Sequence, residues 1–127
     1  MLYKVESSKP LAQVGWDLEA AAQKNKFGVM MVHDLKAKLK EKGVDFDREC
    51  LIYEVCNPQL AKKVLEANPE ISTALPCRIA IYTEGVGVTL ATIRPTAMIE
   101  TFTTPDLKAV AEEVEPVLIR IMDEAAR

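Results

Sequence analysis

The amino-acid sequence predicts an α+β domain in which helices pack on one face of a mainly antiparallel sheet. Three observations predict it. Short β-branched and aromatic runs alternate with runs at helical spacing in the order strand, helix, strand, short helix, strand, helix, hairpin, helix. Residues 77 to 93 hold two strand patterns around Gly85-Val86-Gly87, the signature of a hairpin and hence of antiparallel neighbours. From Thr104 onward runs a long amphipathic segment whose single apolar stripe needs a sheet to cover.

Composition bounds what such a domain can do. The 127 residues, 49% hydrophobic and 28% charged, fit one soluble globular domain, residues 1–127, with a sizeable core. A balance of 16 Lys and Arg against 19 Asp and Glu leaves a net charge of -3. No sequence-wide positive field therefore draws the chain to phosphate backbones or anionic lipid, and no nucleic-acid partner is expected. No stretch approaches the ~20 apolar residues of a bilayer span, and the opening Met1-Leu2-Tyr3-Lys4-Val5-Glu6 lacks an apolar signal core. A cytoplasmic location and no membrane partner are the expectation. In a reducing compartment the 3 cysteines are expected to stay thiols rather than form a disulfide framework.

Taken in order, residues 2 to 6 alternate, with Tyr3 and Val5 set against Lys4 and Glu6, and predict a strand with one buried face. From Pro10 to about Lys24, Leu11, Val14, Leu18, Ala21 and Ala22 recur on one helical stripe. Trp16 lies well off that stripe, so the core leaves it uncovered. Phe27 to Val32 is a continuous apolar run too short for a typical helix and predicts a central strand. Leu35 to Lys42 predicts a short basic helix with solvated lysines, ended by Gly43 as a left-handed cap. Cys50 to Cys56 predicts a third strand, stopped by Asn57-Pro58.

Asn57 as N-cap with Pro58 in the first turn opens a helix whose buried side is Leu60, Ala61, Val64 and Leu65, closed by Asn68-Pro69. Pro76 precedes the strand Cys77 to Glu84, with Cys77, Ile79 and Ile81 on one face and Arg78, Tyr82 and Glu84 on the other. Gly85-Val86-Gly87 is a turn. A dinucleotide fingerprint needs a third glycine and a following helix, neither of which is present, so no cofactor is expected. The final helix begins at Thr104-Pro105, with Leu107, Val110, Val114, Leu118, Ile121 and Ala125 on its stripe and Pro116 opposite.

Few residues carry candidate chemistry. Cys56 ends a strand just before a helix N-terminus, where the helix dipole and free N–H groups favour thiolate. Cys77 opens the next strand. Antiparallel pairing of the two strands would bring both thiols within disulfide or shared-ligand reach, whereas parallel pairing would set them at opposite ends. Burial as small hydrophobes is the commoner use of such cysteines, and Cys50 is read as packing. His33, the lone histidine, and Asp34 point to opposite faces of a strand and have no partner at a diagnostic spacing. No metal is expected, since no close-spaced ligand pair such as Cys-x-x-Cys occurs.

Cys56-Asn57-Pro58 with Ala61 behind it, Leu75-Pro76-Cys77, Pro95 after a hairpin and Phe27-Gly28-Val29 together resemble the family catalogued as domain of unknown function 302, from about Tyr3 to Pro95. The resemblance implies a curved antiparallel sheet backed by helices, of the TATA-binding-protein-like class, and a homodimer. It implies no established activity, and a fold shared with DNA-binding proteins does not transfer their function. One departure is Lys26, which stands where a glycine is expected before Phe27.

Two functions follow as expectations. The first is a dimeric binding or accessory module holding a small ligand or partner segment in a groove, with Asn57, Pro58 and Pro76 as candidate binding residues. The second is sulfur, persulfide or redox handling of a thiol-containing ligand, with Cys56 as attacking thiolate and Cys77 as its resolving partner, the two candidate catalytic residues.

Overall fold

The computed structural model describes every residue from Met1 to Arg127. Its strands are β1 (Leu2–Ser7), β2 (Gly28–Asp34), β3 (Cys50–Cys56), β4 (Cys77–Glu84) and β5 (Gly87–Ile93). Its helices are α1 (Leu11–Lys24), α2 (Leu35–Glu41), α3 (Pro58–Ala67), α4 (Pro95–Met98) and α5 (Pro105–Ala126). Single 3-10 segments, Pro69–Ala74 and Ile99–Thr101, follow α3 and α4. The sequence pattern did not reveal these two segments or α4, because each is too short to show a period.

The strands form one sheet in the order β1-β5-β4-β3-β2, with every neighbouring pair antiparallel. The α+β architecture expected from the pattern is therefore present. Period-two alternation sends Val55, Ile79, Ile81 and Leu90 to one face, where they are fully buried against Val14 and Leu18 of α1 and Leu118 and Ile121 of α5. The charged Lys4, Glu6, Glu54 and Arg78 lie at the alternate positions. Pro116 stands exposed on α5, opposite the stripe, as its position predicts.

β2 departs from expectation. The apolar run predicted a central strand, yet β2 is an edge strand and Met30, Met31 and Val32 are exposed. A bulge explains the run: the register passes from Val29 opposite Val55 to Met31 opposite Glu54, leaving Met30 as an extra residue. An inserted residue reverses which positions face the core, so apolar residues adjacent in sequence need not be buried on both sides.

Helix ends follow their local chemistry. Gly43 takes the left-handed conformation (φ 81°), the Gly43 N–H reaches Lys40 O (3.0 Å) and the Val44 N–H reaches Leu39 O (2.9 Å), a Schellman close to α2. The same motif ends α1 through Lys26 (φ 66°), with Lys26 N–H to Gln23 O (3.1 Å) and Phe27 N–H to Ala22 O (2.8 Å). The left-handed region costs a side chain, which gives a physical reason for the glycine that the family resemblance implied before Phe27. Glu115 of α5 accepts from the Thr96 N–H (3.0 Å) and hydroxyl (2.6 Å) and from Arg94 (3.4 Å). These bonds pin α4 against the final helix.

Candidate ligand cleft

Antiparallel pairing of β3 with β4 sets Val55 opposite Cys77. Cys56, one residue beyond Val55 and of the alternate parity, therefore stands diagonal to Cys77 at the same end of the sheet. Both cysteines are free and half-buried. The antiparallel alternative read from the sequence is therefore the one the chain adopts.

The expected thiolate at Cys56 is not favoured. Burial pushes the Cys56 thiol up, and burial first, then the neighbouring Cys56, pushes Cys77 up to about 11. The physical reason lies at the start of α3. Pro58 has no N–H, Asn57 Oδ1 accepts from the N–H groups of Gln59 (3.1 Å) and Leu60 (3.2 Å), and Asn57 O accepts from Ala61 (2.9 Å). The helix N-terminus is thereby satisfied within the chain, leaving no free donor for a thiolate, while desolvation favours the neutral thiol. Cys50, farther along β3, is likewise pushed up, by burial first.

Cys56 and Cys77 both line a narrow apolar cleft of about 70 Å³. The cleft is lined by 18 residues, 16 of them hydrophobic and none charged. The ends of β3 and β4 form its floor; Leu60 and Val64 of α3, Met98 of α4, and Leu107 and Val110 of α5 form its walls. Of the candidate binding residues, Asn57 lines the cleft, while Pro58 and Pro76 do not. Pro76 follows a cis peptide bond from Leu75, and Leu75 itself reaches the cleft.

One residue organising this cleft was read from the sequence only as a helix stop. The Asn68 N–H closes α3 on Val64 O (2.9 Å), its Oδ1 accepts from the Glu70 N–H (3.0 Å), and its Nδ2 donates to Thr104 Oγ1 (3.1 Å). Asn68 thus ties the α3 wall to the start of α5. The Asn-Pro dipeptide signalled a cap; no local pattern could signal a contact with a hydroxyl 36 residues away.

A polar cluster stands elsewhere on the sheet. His33 Nε2 lies 3.3 Å from Glu54 Oε1, and Arg78 Nε lies 3.5 Å from Glu54 Oε2. The partner that His33 lacked in the sequence is supplied across the β2–β3 pair, while Asp34 caps α2 by accepting from the Ala37 N–H (3.0 Å). No group of three or more His, Cys, Asp or Glu side chains is gathered to hold a metal ion. No helix is long and apolar enough to cross a membrane.

Comparison with known proteins agrees with this architecture. The family model described as "Domain of unknown function DUF302" matches residues 3–125. An uncharacterized conserved DUF302 protein from Bacillus stearothermophilus, known from its crystal structure, is 32% identical, with a TM-score of 0.93 over 99% of this chain and 98% of that one. No curated protein matches the chain. Family match, near-complete coverage and shared fold agree: the chain belongs to the DUF302 family.

Proposed function

We propose that this protein is a dimeric accessory module whose cleft holds a small molecule or an apolar partner segment. The cleft itself carries the reading: it is a concave site whose wall is almost wholly apolar, with one polar side chain that is not a thiol, Asn57. Titration with the neutral fluorophore Nile red tests it. Saturable binding that is lost in Ala61→Phe, which fills the cleft from α3, is the expected result. Equal binding by that variant and the parent overturns the reading.

Dimerisation rests on Trp16, which is 65% exposed on α1, and on the family resemblance. A large aromatic side chain left in water is costly and is characteristic of interface centres. Light scattering after size-exclusion chromatography should give twice the 14.1 kDa of one chain, and Trp16→Ala should weaken the dimer. A monomer mass for the parent overturns the dimer; an unchanged dimer in the variant overturns the role of Trp16.

A second reading, thiol-dependent sulfur or redox handling by Cys56 and Cys77, is favoured by the one observation that both thiols share the cleft. It requires a fast-reacting Cys56. Timed alkylation with peptide mass spectrometry separates the two readings, because a binding module labels slowly at all three cysteines.

A further inference from the structure

Away from the cleft, we propose that the outer edge of β2 is a docking site for an acidic protein segment, an extended apolar stretch with carboxylates at both ends, which joins the five-stranded sheet as an added strand.

The two edges of the sheet are guarded unequally. β1 carries the exposed Lys4 and Glu6 within its length, charges that discourage a stray strand from joining it. β2 instead places Met30, Met31 and Val32 in the open and has no charged or titratable side chain before His33. Its outward N–H and C=O groups have no partner in the protein. No strand lies beyond β2, and none of the backbone bonds outside the regular helices and ladders involves residues 28–34. The bulge at Met30 confines unbroken register to Met31–Asp34, so an incoming strand makes few backbone bonds and depends on charge for the rest of its affinity.

That charge stands at both ends of the strand. Between residues 24 and 42 lie Lys24, Lys26, Lys36, Lys38, Lys40 and Lys42 against only Asp34 and Glu41, in a chain whose net charge is -3. Lys36 is paired with Glu49 (3.1 Å) and Lys24 approaches Glu124 (3.9 Å). Lys26 before β2, and Lys38, Lys40 and Lys42 after it, are exposed and pair with no carboxylate. Because α2 follows β2 directly and packs on β2 and β3, its field reaches the end of the open edge. The same placement disfavours a second copy of this chain. Two-fold antiparallel pairing of β2 with itself would bring Lys26 of each copy beside α2 of the other, positive against positive. An anionic bilayer would answer the lysines but offers no strand to the backbone groups.

Three fluorescein-labelled peptides test the proposal on the full chain: an alternating Val-Thr core flanked by glutamates, the same core flanked by lysines, and the glutamate-flanked core N-methylated at alternate residues so that it cannot donate to a strand edge. At low salt the first should bind about tenfold more tightly than either of the others, and its advantage over the lysine-flanked peptide should fade as salt is added. Amide exchange followed by NMR should show new protection within Met31–Asp34 when it binds. The variant carrying Lys38→Glu, Lys40→Glu and Lys42→Glu should reverse the preference toward the lysine-flanked peptide, a gain that an unfolded variant could not show. Equal binding of the three peptides, binding without protection in β2, or a preference unchanged in the triple variant overturns the proposal. So does protection of β2 that appears in the free protein as its concentration rises, which would assign the edge to a second copy, or capture by phosphatidylserine vesicles with no peptide bound, which would assign it to a membrane surface.

Discussion

Gly15 on α1 lies directly over the hydroxyl of Tyr53 on β3, so close that a Cβ at position 15 would overlap the phenol oxygen. Tyr53 is buried, and its ring cannot swing aside without disturbing the core. Gly15→Ala is thus expected to destabilise the protein by about 1–3 kcal/mol through overpacking, against the ~1 kcal/mol that alanine ordinarily gains over glycine within a helix. Chemical denaturation decides the sign. A more stable variant would mean that α1 lifts from the sheet without cost.

Lys26 should respond in the opposite direction. Its left-handed backbone costs a side chain about 1–2 kcal/mol, and glycine would remove that cost while adding flexibility to the unfolded chain. The balance predicts that Lys26→Gly stabilises by roughly 0.5–1 kcal/mol, read as a higher melting temperature.

Alkaline pH should expose the cost of the cleft's dryness. The Cys77 thiol ionises in the unfolded chain near 9.0 but in the folded protein only near 11. The folded state therefore holds this proton more tightly, and the associated stability is fully present below pH 9 and lost as the pH rises toward 11. A shift of this size corresponds to roughly 2–3 kcal/mol. Denaturation midpoints of the parent should fall across that window, and those of Cys77→Ala should fall less. A parallel decline in both would place the alkaline loss elsewhere.

Pro116 interrupts α5 on its exposed side and leaves Glu112 O without its helical donor. Because Glu115 is anchored by Thr96 and Arg94, the helix has its position fixed independently of the proline. Pro116→Ala should stabilise by about 1–3 kcal/mol in thermal melts. A loss of stability would show that the proline bend is needed for Leu118 and Ile121 to reach the sheet.

The elements whose period matched their burial were legible in the sequence. The stripe from Leu107 to Ala125, the alternation of Cys77, Ile79 and Ile81, and the Asn57-Pro58 start each encode structure within a few residues. The His33–Glu54 contact was not legible, for a definite reason. Without the extra residue at Met30 the β2 register would turn His33 toward the helices, and a run of Val and Met on both parities gives no sign of where such an insertion falls. The cleft was half legible. Its thiols and Asn57 stood in a recognisable motif, but Met98 and Leu107 come from segments joined to it through Asn68 and Glu115, contacts that only the folded chain makes.

The pairing of β1 with β5 also orders events in time. Leu2 lies opposite Ile93 and the Tyr3 hydroxyl donates to Asp123, whereas β4 meets β5 through a tight turn at Gly85. During synthesis Tyr3 and Val5 precede β5 and have no strand to join until it has been made. The β4–β5 hairpin can close as soon as it is made. β1 is thus the last strand to enter the sheet, and its apolar face must wait in the open for a partner made long after it.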